Sequence, residues 1–172
     1  MSASHSPALA LARTALRAGL VLNLLFGAFL VVLLAASLAA EAWVMTALGA
    51  NPANSGLVAA MRAIMVLGLA SVPLAHVILT RLLAIVETVR FGDPFVAANA
   101  ARLQTIAWAL LGLELLHLAA GAVAALASSP AEPLDIGWSF SLTGWLAVLL
   151  LFVLARVFDQ GAAMRADLEG TV

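Results

Sequence analysis

Glu114 and His117 are the strongest candidates for chemistry in this sequence, because both lie inside a long apolar stretch. Ionisable residues are costly inside a membrane and usually mark a functional site. The spacing Glu114-Leu-Leu-His117 puts both side chains on one face of a helix. Di-iron helix bundles also use Glu-x-x-His, but they need a second such pair and further carboxylates, which this chain lacks. We therefore expect neither a metal nor another cofactor.

Asn23 and Ser71 complete the predicted polar cluster with Glu114 and His117. If the chain turns at about residue 92, counting along two antiparallel helices brings Glu114 level with Ser71. Two interpretations remain open. The cluster is either a set of internal hydrogen bonds that fixes how the helices pack, or a proton-responsive or ligand-binding site.

Arg62 is another charged residue within an apolar stretch. The same count places it about nine residues nearer the outside than Glu114, too far for the two to pair. We expect Arg62 to reach Glu41, Glu132, Asp135 or a lipid phosphate by snorkelling.

Small residues predict how the first span packs. Gly19, Asn23 and Gly27 recur at every fourth position and so form a close-packing face. Pro73, in the second span, removes one backbone hydrogen bond and should kink or loosen the helix there.

The elements that position these residues are predicted to be transmembrane helices. The chain has 172 residues, of which 65% are hydrophobic and 10% charged, whereas soluble domains are about 25% charged. A helix needs roughly 20 apolar residues to cross a bilayer. Four stretches qualify in what we expect to be one domain: 18–40, 57–80, 103–127 and 137–155. A cleaved signal peptide is a weaker alternative for the first, which exceeds the roughly 7–15 residues of a signal core.

Several function classes are excluded by composition. The chain has no Cys and no Tyr, so it forms no disulfide and has no thiol or phenol chemistry. Its net charge of −1 provides no basic surface for direct nucleic-acid binding. No phosphate-binding loop or nucleophile–base set is readable, so we expect no enzyme.

The distribution of basic residues predicts the topology. All eight are Arg: two precede the first span, three lie between the second and third, and two follow the fourth. By the positive-inside rule both termini and the central connection are cytoplasmic. The sequence thus predicts an all-α, four-helix transmembrane bundle in a cell membrane, N-in and C-in, with a cytoplasmic tail over 156–172.

The segment between the second and third spans predicts a helical hairpin. Gly92 can end one helix, Asp93 can cap the next, and Pro94 suits its first turn. A third helix from Pro94 would be about 34 residues, roughly 50 Å long, whereas the hydrocarbon core is roughly 30 Å thick. The hairpin 81–102, with the second helix ending at about Arg90, should therefore project into the cytoplasm.

One face of this hairpin must pack on something, because Phe95, Asn99, Leu103 and Ile106 recur at helical spacing. Either it packs on the neighbouring helix or the cytoplasmic tail, or it is a docking surface for another protein.

The run GDPFVAANAARLQTIAW resembles the signature of an uncharacterised family of small, four-span bacterial membrane proteins. The ending VFDQGAAMRADLEGTV is also similar. The resemblance extends over nearly the whole chain, but only the central motif is specific. It implies a location in the bacterial inner membrane and a small helix-turn-helix regulator as a partner, and it carries over no catalytic residue. The matching positions are Gly92, Pro94, Phe95, Asn99, Arg102 and Leu103.

These observations favour a regulatory or sensory membrane protein that docks a cytoplasmic protein through the hairpin and the tail. The alternative is a small transporter, or a transport subunit, that handles a proton or small solute at Glu114 and His117. Besides the lipid bilayer, a second copy of the chain is a candidate partner.

Overall fold

The structure is a computed structural model that describes residues 7–49, 51, 53–90, 95–128 and 140–169. Within these ranges it contains helices and no strand, so the prediction of an all-α fold is confirmed. Four of the helices are apolar and long enough to cross a membrane, as expected for a multi-pass membrane protein. The helices are α1 (Pro7–Ala39), α2 (Glu41–Ala47), α3 (Ser55–Arg90), α4 (Ala97–Ala127) and α5 (Leu142–Glu169).

The long helices pack as a row. α1 contacts α3, α3 contacts α4, and α4 contacts α5, while no comparable contact in the described residues joins α1 to α4 or α5. α1 and α5 therefore lie at the two edges and expose many apolar side chains, such as Phe29 and Leu149. In a membrane these side chains face lipid, where exposing them carries no hydrophobic cost.

Helix bounds agree with the sequence at some ends and differ at others. α3 ends at Arg90, as expected, and Pro73 lies inside this one helix. The kink or loosening expected at Pro73 stays a prediction. α4 begins at Ala97, and α5 begins at Leu142. Residues 137–139, with which the fourth predicted span begins, lie outside the described part of the chain. The segment 156–169, expected to be a tail, continues α5 as helix. Residues 91–94 lie outside the described part of the chain, and with them the predicted turn at Gly92, Asp93 and Pro94.

α2 was not predicted from the sequence. It is a short helix whose Val44 and Met45 are buried, and Met45 packs in one cluster with Leu57 and Val58 at the start of α3. This contact covers one end of the row, which also contains Arg62. We call it the Arg62 end, and the opposite end, where α3 stops and α4 begins, the hairpin end.

Candidate functional site

Asn99 is the centre of a hydrogen-bond network at the hairpin end. Its side chain is 0% exposed, and its Nδ2 donates to Thr88 Oγ1 at 2.8 Å. Arg102 Nη1 donates to Asn99 Oδ1 at 2.8 Å and to the Ala84 carbonyl oxygen at 3.2 Å. A buried polar group left without a partner costs about 1–3 kcal/mol. The network therefore holds the end of α3 against the start of α4.

Phe95 joins this hairpin to α5. Its ring centroid lies 5.2 Å from that of Phe158. An added Cβ at Gly161 would lie 3.1 Å from Phe95 Cδ1. The Phe95 ring therefore occupies space that a side chain at position 161 would crowd. Leu103 and Ile106 are buried, whereas Phe95 is 46% exposed despite this contact. The hairpin face predicted to need a partner thus packs within the chain.

Two adjoining recesses remain open beside this contact, between the start of α4 and the hairpin-end half of α5. Their volumes are about 260 and 430 Å³, and Ala97 and Asp159 line both. Arg156 Nη1 donates to Asp159 Oδ2 at 3.2 Å, and both side chains are largely exposed. The remaining polar lining residues are Gln104 and Arg165. Half of the residues that line the two recesses are alanines, and charged side chains lie at their edges.

α3 and α4 pack in nearly the register counted from the sequence. An added Cβ at Gly112 would lie 3.0 Å from Leu74 Cδ1, and Thr88 pairs with Asn99. Both pairs agree to within about two residues with the count that placed Glu114 level with Ser71.

Asn23 lies in the interface between α1 and α3. Its Nδ2 donates to the Val72 carbonyl oxygen at 3.0 Å. An added Cβ would lie 3.1 Å from Val72 Cγ1 at Gly27, and 3.3 Å from Leu79 Cδ2 at Gly19. The predicted small-residue row on α1 is therefore the face that packs on α3.

Ser71 and His117 lie together on a different surface. They line an open recess of about 250 Å³ between α3 and α4, which Gly68 also lines. Ser71 Oγ donates within its own helix, to the Gly68 carbonyl oxygen at 2.6 Å. His117 is an exposed residue. The other residues that line the recess are apolar.

Glu114 faces α5. An added Cβ at Gly144 would lie 2.5 Å from Glu114 Cδ, so only glycine leaves room for the carboxyl group. The Gly144 N–H donates to Ser141 Oγ at 3.1 Å, as at a helix N-cap. The carboxyl group therefore lies beside the positive end of the α5 dipole. No hydrogen bond or ion pair joins it to another described residue. The four residues of the predicted cluster are thus divided among three surfaces.

Arg62 binds two residues, Ser37 and Glu41, at the Arg62 end. Its Nη2 lies 2.8 Å from Glu41 Oε2 and also donates to the Ser37 carbonyl oxygen. Ser37 lies in the last turn of α1, where carbonyl groups lack a partner in the helix. The predicted pairing with Glu41 is confirmed, and Arg62 caps α1 as well. Its other predicted partners, Glu132 and Asp135, lie outside the described residues.

The contact residues missed from the sequence include Thr88, Gly144 and Gly161, besides Ser37 as a partner of Arg62. Counting along α3 and α4 from the turn at about residue 92 would have identified Thr88, because Thr88 lies opposite Asn99. The count was applied only to the residues in the middle of the spans. The two glycines carry no such signal, since the long connection before α5 prevents counting its register from α4.

Comparison with known proteins gives one match. The family model described as a protein of unknown function (DUF2975) matches residues 42–172. This range begins within α2 and includes the Asn99 network, both recesses and Glu114, while α1 lies before it. No curated protein and no solved structure matches the chain. Because the family model extends over most of the sequence, the chain belongs to the DUF2975 family of proteins of unknown function.

Proposed function

We propose that this protein is a non-enzymatic regulatory or sensory protein of the bacterial inner membrane that binds a cytoplasmic protein at its hairpin end. The arginine distribution supports this orientation, because seven of the eight arginines follow the positive-inside pattern. The observation that carries the proposal is the pair of recesses between α4 and α5.

The helices that line the recesses are fixed by contacts within the chain. The Asn99 network fixes α3 on α4, and Phe95 fixes the start of α4 on α5. Binding at such a surface requires little reordering, which lowers the entropic cost of association. The alanine lining lets a partner backbone approach closely, and the charged Arg156 and Asp159 can orient it. A small helix-turn-helix regulator, which the family resemblance implies, is the partner we propose.

Filling the recess tests this function. Ala101 lines the recess of about 260 Å³, and a Trp side chain at this position would fill it. Ala101→Trp should therefore abolish co-purification of the partner from membranes in mild detergent. Ala122→Trp is the matched control, because Ala122 is an exposed alanine on the same helix that lines neither recess. Equal recovery of the partner with both variants would reject docking at the recesses.

A second candidate function is transport of a proton or small solute at Glu114 and His117. It is favoured by the Glu114 carboxyl group, which pairs with no described residue. Proton flux into proteoliposomes tests it. Glu114→Gln should abolish the flux, and a flux equal to that of the unaltered protein would reject a transport role for this carboxyl group.

A further inference from the structure

α5 lies at one edge of the helix row and carries an exposed stripe on its outer side. Among the described helices, α5 packs extensively only on α4, through the side that contains the buried residues Val148 and Ala155. On the other side, six exposed residues recur at alternating intervals of four and three. We call them the α5 stripe: Leu146, Leu150, Val153, Val157, Gln160 and Met164.

The spacing of the α5 stripe is that of a coiled coil. Alternating intervals of four and three give the a and d positions of a heptad, which meet the partner helix when two helices pack side by side. Five stripe residues are apolar, and each of them is 51–66% exposed. Arg156, Asp159 and Arg165 lie off the stripe, which ends at Asp167, the next heptad position. The pattern therefore favours pairing of α5 with another helix over about 27 Å of its length.

Contact with lipid explains only part of this stripe. The first charged residue of α5 is Arg156, so the helix leaves the hydrocarbon core near this residue. Val157, Gln160 and Met164 follow it and lie beside headgroups or in water. Exposed apolar side chains are unfavourable there, and both Val157 and Met164 are more than half exposed. A helix that lies along the α5 stripe would remove them from water.

Symmetry favours a second copy of the chain as the owner of that helix. Two copies inserted alike in one membrane have parallel α5 helices, and equal residue numbers lie at equal depth. Across a two-fold axis along the membrane normal, each stripe residue faces its own counterpart. Apolar residues then meet apolar residues, and no charged residue of the stripe meets a like charge, because the stripe contains none.

Gln160 also suits a two-fold axis. A carboxylate or guanidinium group at this position would face its own charge. The Gln160 amide instead has both donors and an acceptor, so it can hydrogen-bond to its copy. A single polar residue among apolar a and d positions fixes the register and the number of helices. The polar member of the α5 stripe is thus of a type that complements itself.

We propose that the α5 stripe binds the same stripe of a second copy, forming a parallel dimer whose two-fold axis lies along the membrane normal. A contact made by the same surface of both copies closes after two and leaves no free end for further growth. The stripe shares no residue with the two recesses between α4 and α5. Dimerisation therefore uses a different surface from the docking proposed above and does not depend on it.

Cysteine cross-linking tests the contact. The chain has no Cys, so each single-cysteine variant carries one thiol. Mild oxidation of membranes should join two copies through Val157→Cys or Met164→Cys, because a symmetric contact brings equal positions within reach of a disulfide. Ala166→Cys is the matched control, since Ala166 is also exposed but lines a recess on another face of α5. No dimer with either stripe variant, or an equal yield with Ala166→Cys, would overturn the proposal.

Energy transfer between differently labelled copies in lipid vesicles tests the role of Gln160. Gln160→Arg puts like charges opposite each other and should weaken dimerisation about tenfold or more. Ala166→Arg adds the same charge away from the stripe and should leave the dissociation constant unchanged. Gln160→Asn keeps an amide and should retain the dimer. Equal constants for Gln160→Arg and Ala166→Arg, or no transfer between unaltered copies at any protein-to-lipid ratio, would contradict the proposed dimer.

Discussion

Gly144 of α5 faces Glu114 of α4 so closely that any side chain at position 144 would overlap the carboxyl group. The pair fixes the depth at which α5 starts, because it sets the register of α5 against α4. It also explains a glycine in the first turn of a helix, where a residue with a side chain is otherwise more stable.

Gly144→Ala should therefore destabilise the protein by about 1–3 kcal/mol, the usual cost of overpacking. Glu114→Ala should remove most of this cost in the double variant, because it removes the group that the new methyl would meet. Thermal unfolding in detergent measures both effects. Gly56→Ala is the control, because its added Cβ would make only an ordinary contact at 3.5 Å. Strictly additive effects of the two substitutions would show that they do not meet.

Asn99→Ala should lower the free energy of unfolding by about 1–3 kcal/mol, since Thr88 and Arg102 each lose a partly buried hydrogen bond and keep only their bonds to backbone carbonyl groups of α3. Thr88→Val should cost less on its own. Combined with Asn99→Ala, it should add little, because the hydrogen bond it removes is already lost. A double-mutant cycle by thermal unfolding measures the coupling, and a coupling of zero would contradict the network.

Arg62→Ala should be more destabilising than Glu41→Ala. The ion pair is partly exposed, and such pairs contribute about 0–1 kcal/mol. Arg62 also binds the Ser37 carbonyl group, which loses its partner only in Arg62→Ala. Thermal unfolding of both variants in detergent compares the two losses. Equal losses would indicate that the cap on α1 contributes nothing.

Reporter fusions test the orientation. A reporter after Asn51 should be active outside the cytoplasm, whereas one after Val172 should be active inside, because the arginine distribution places the hairpin end in the cytoplasm. Activity of the Asn51 fusion in the cytoplasm would reverse the assignment and move the recesses to the other side of the membrane.

The sequence by itself determined the four long helices and the alignment of α3 with α4. Apolar stretches of sufficient length predict membrane helices because the hydrocarbon core leaves backbone groups no partner outside the chain. The α3–α4 register followed from the short connection, since few residues between two antiparallel helices leave little freedom in their offset. The same count excluded Glu114 as a partner of Arg62, and Glu41 is the observed one.

Only the tertiary structure decided which way the polar side chains in the middle of the apolar spans point. Counting along a helix gives the depth of a residue in the membrane. The helix that its side chain faces depends instead on which neighbours pack at that depth. Asn23 therefore binds α3 and Glu114 faces α5, although both were assigned to one cluster. The depth of α5 was also beyond prediction, because the long connection before it permits many offsets. Contacts of Phe95, Trp108 and Glu114 with α5 select one of them.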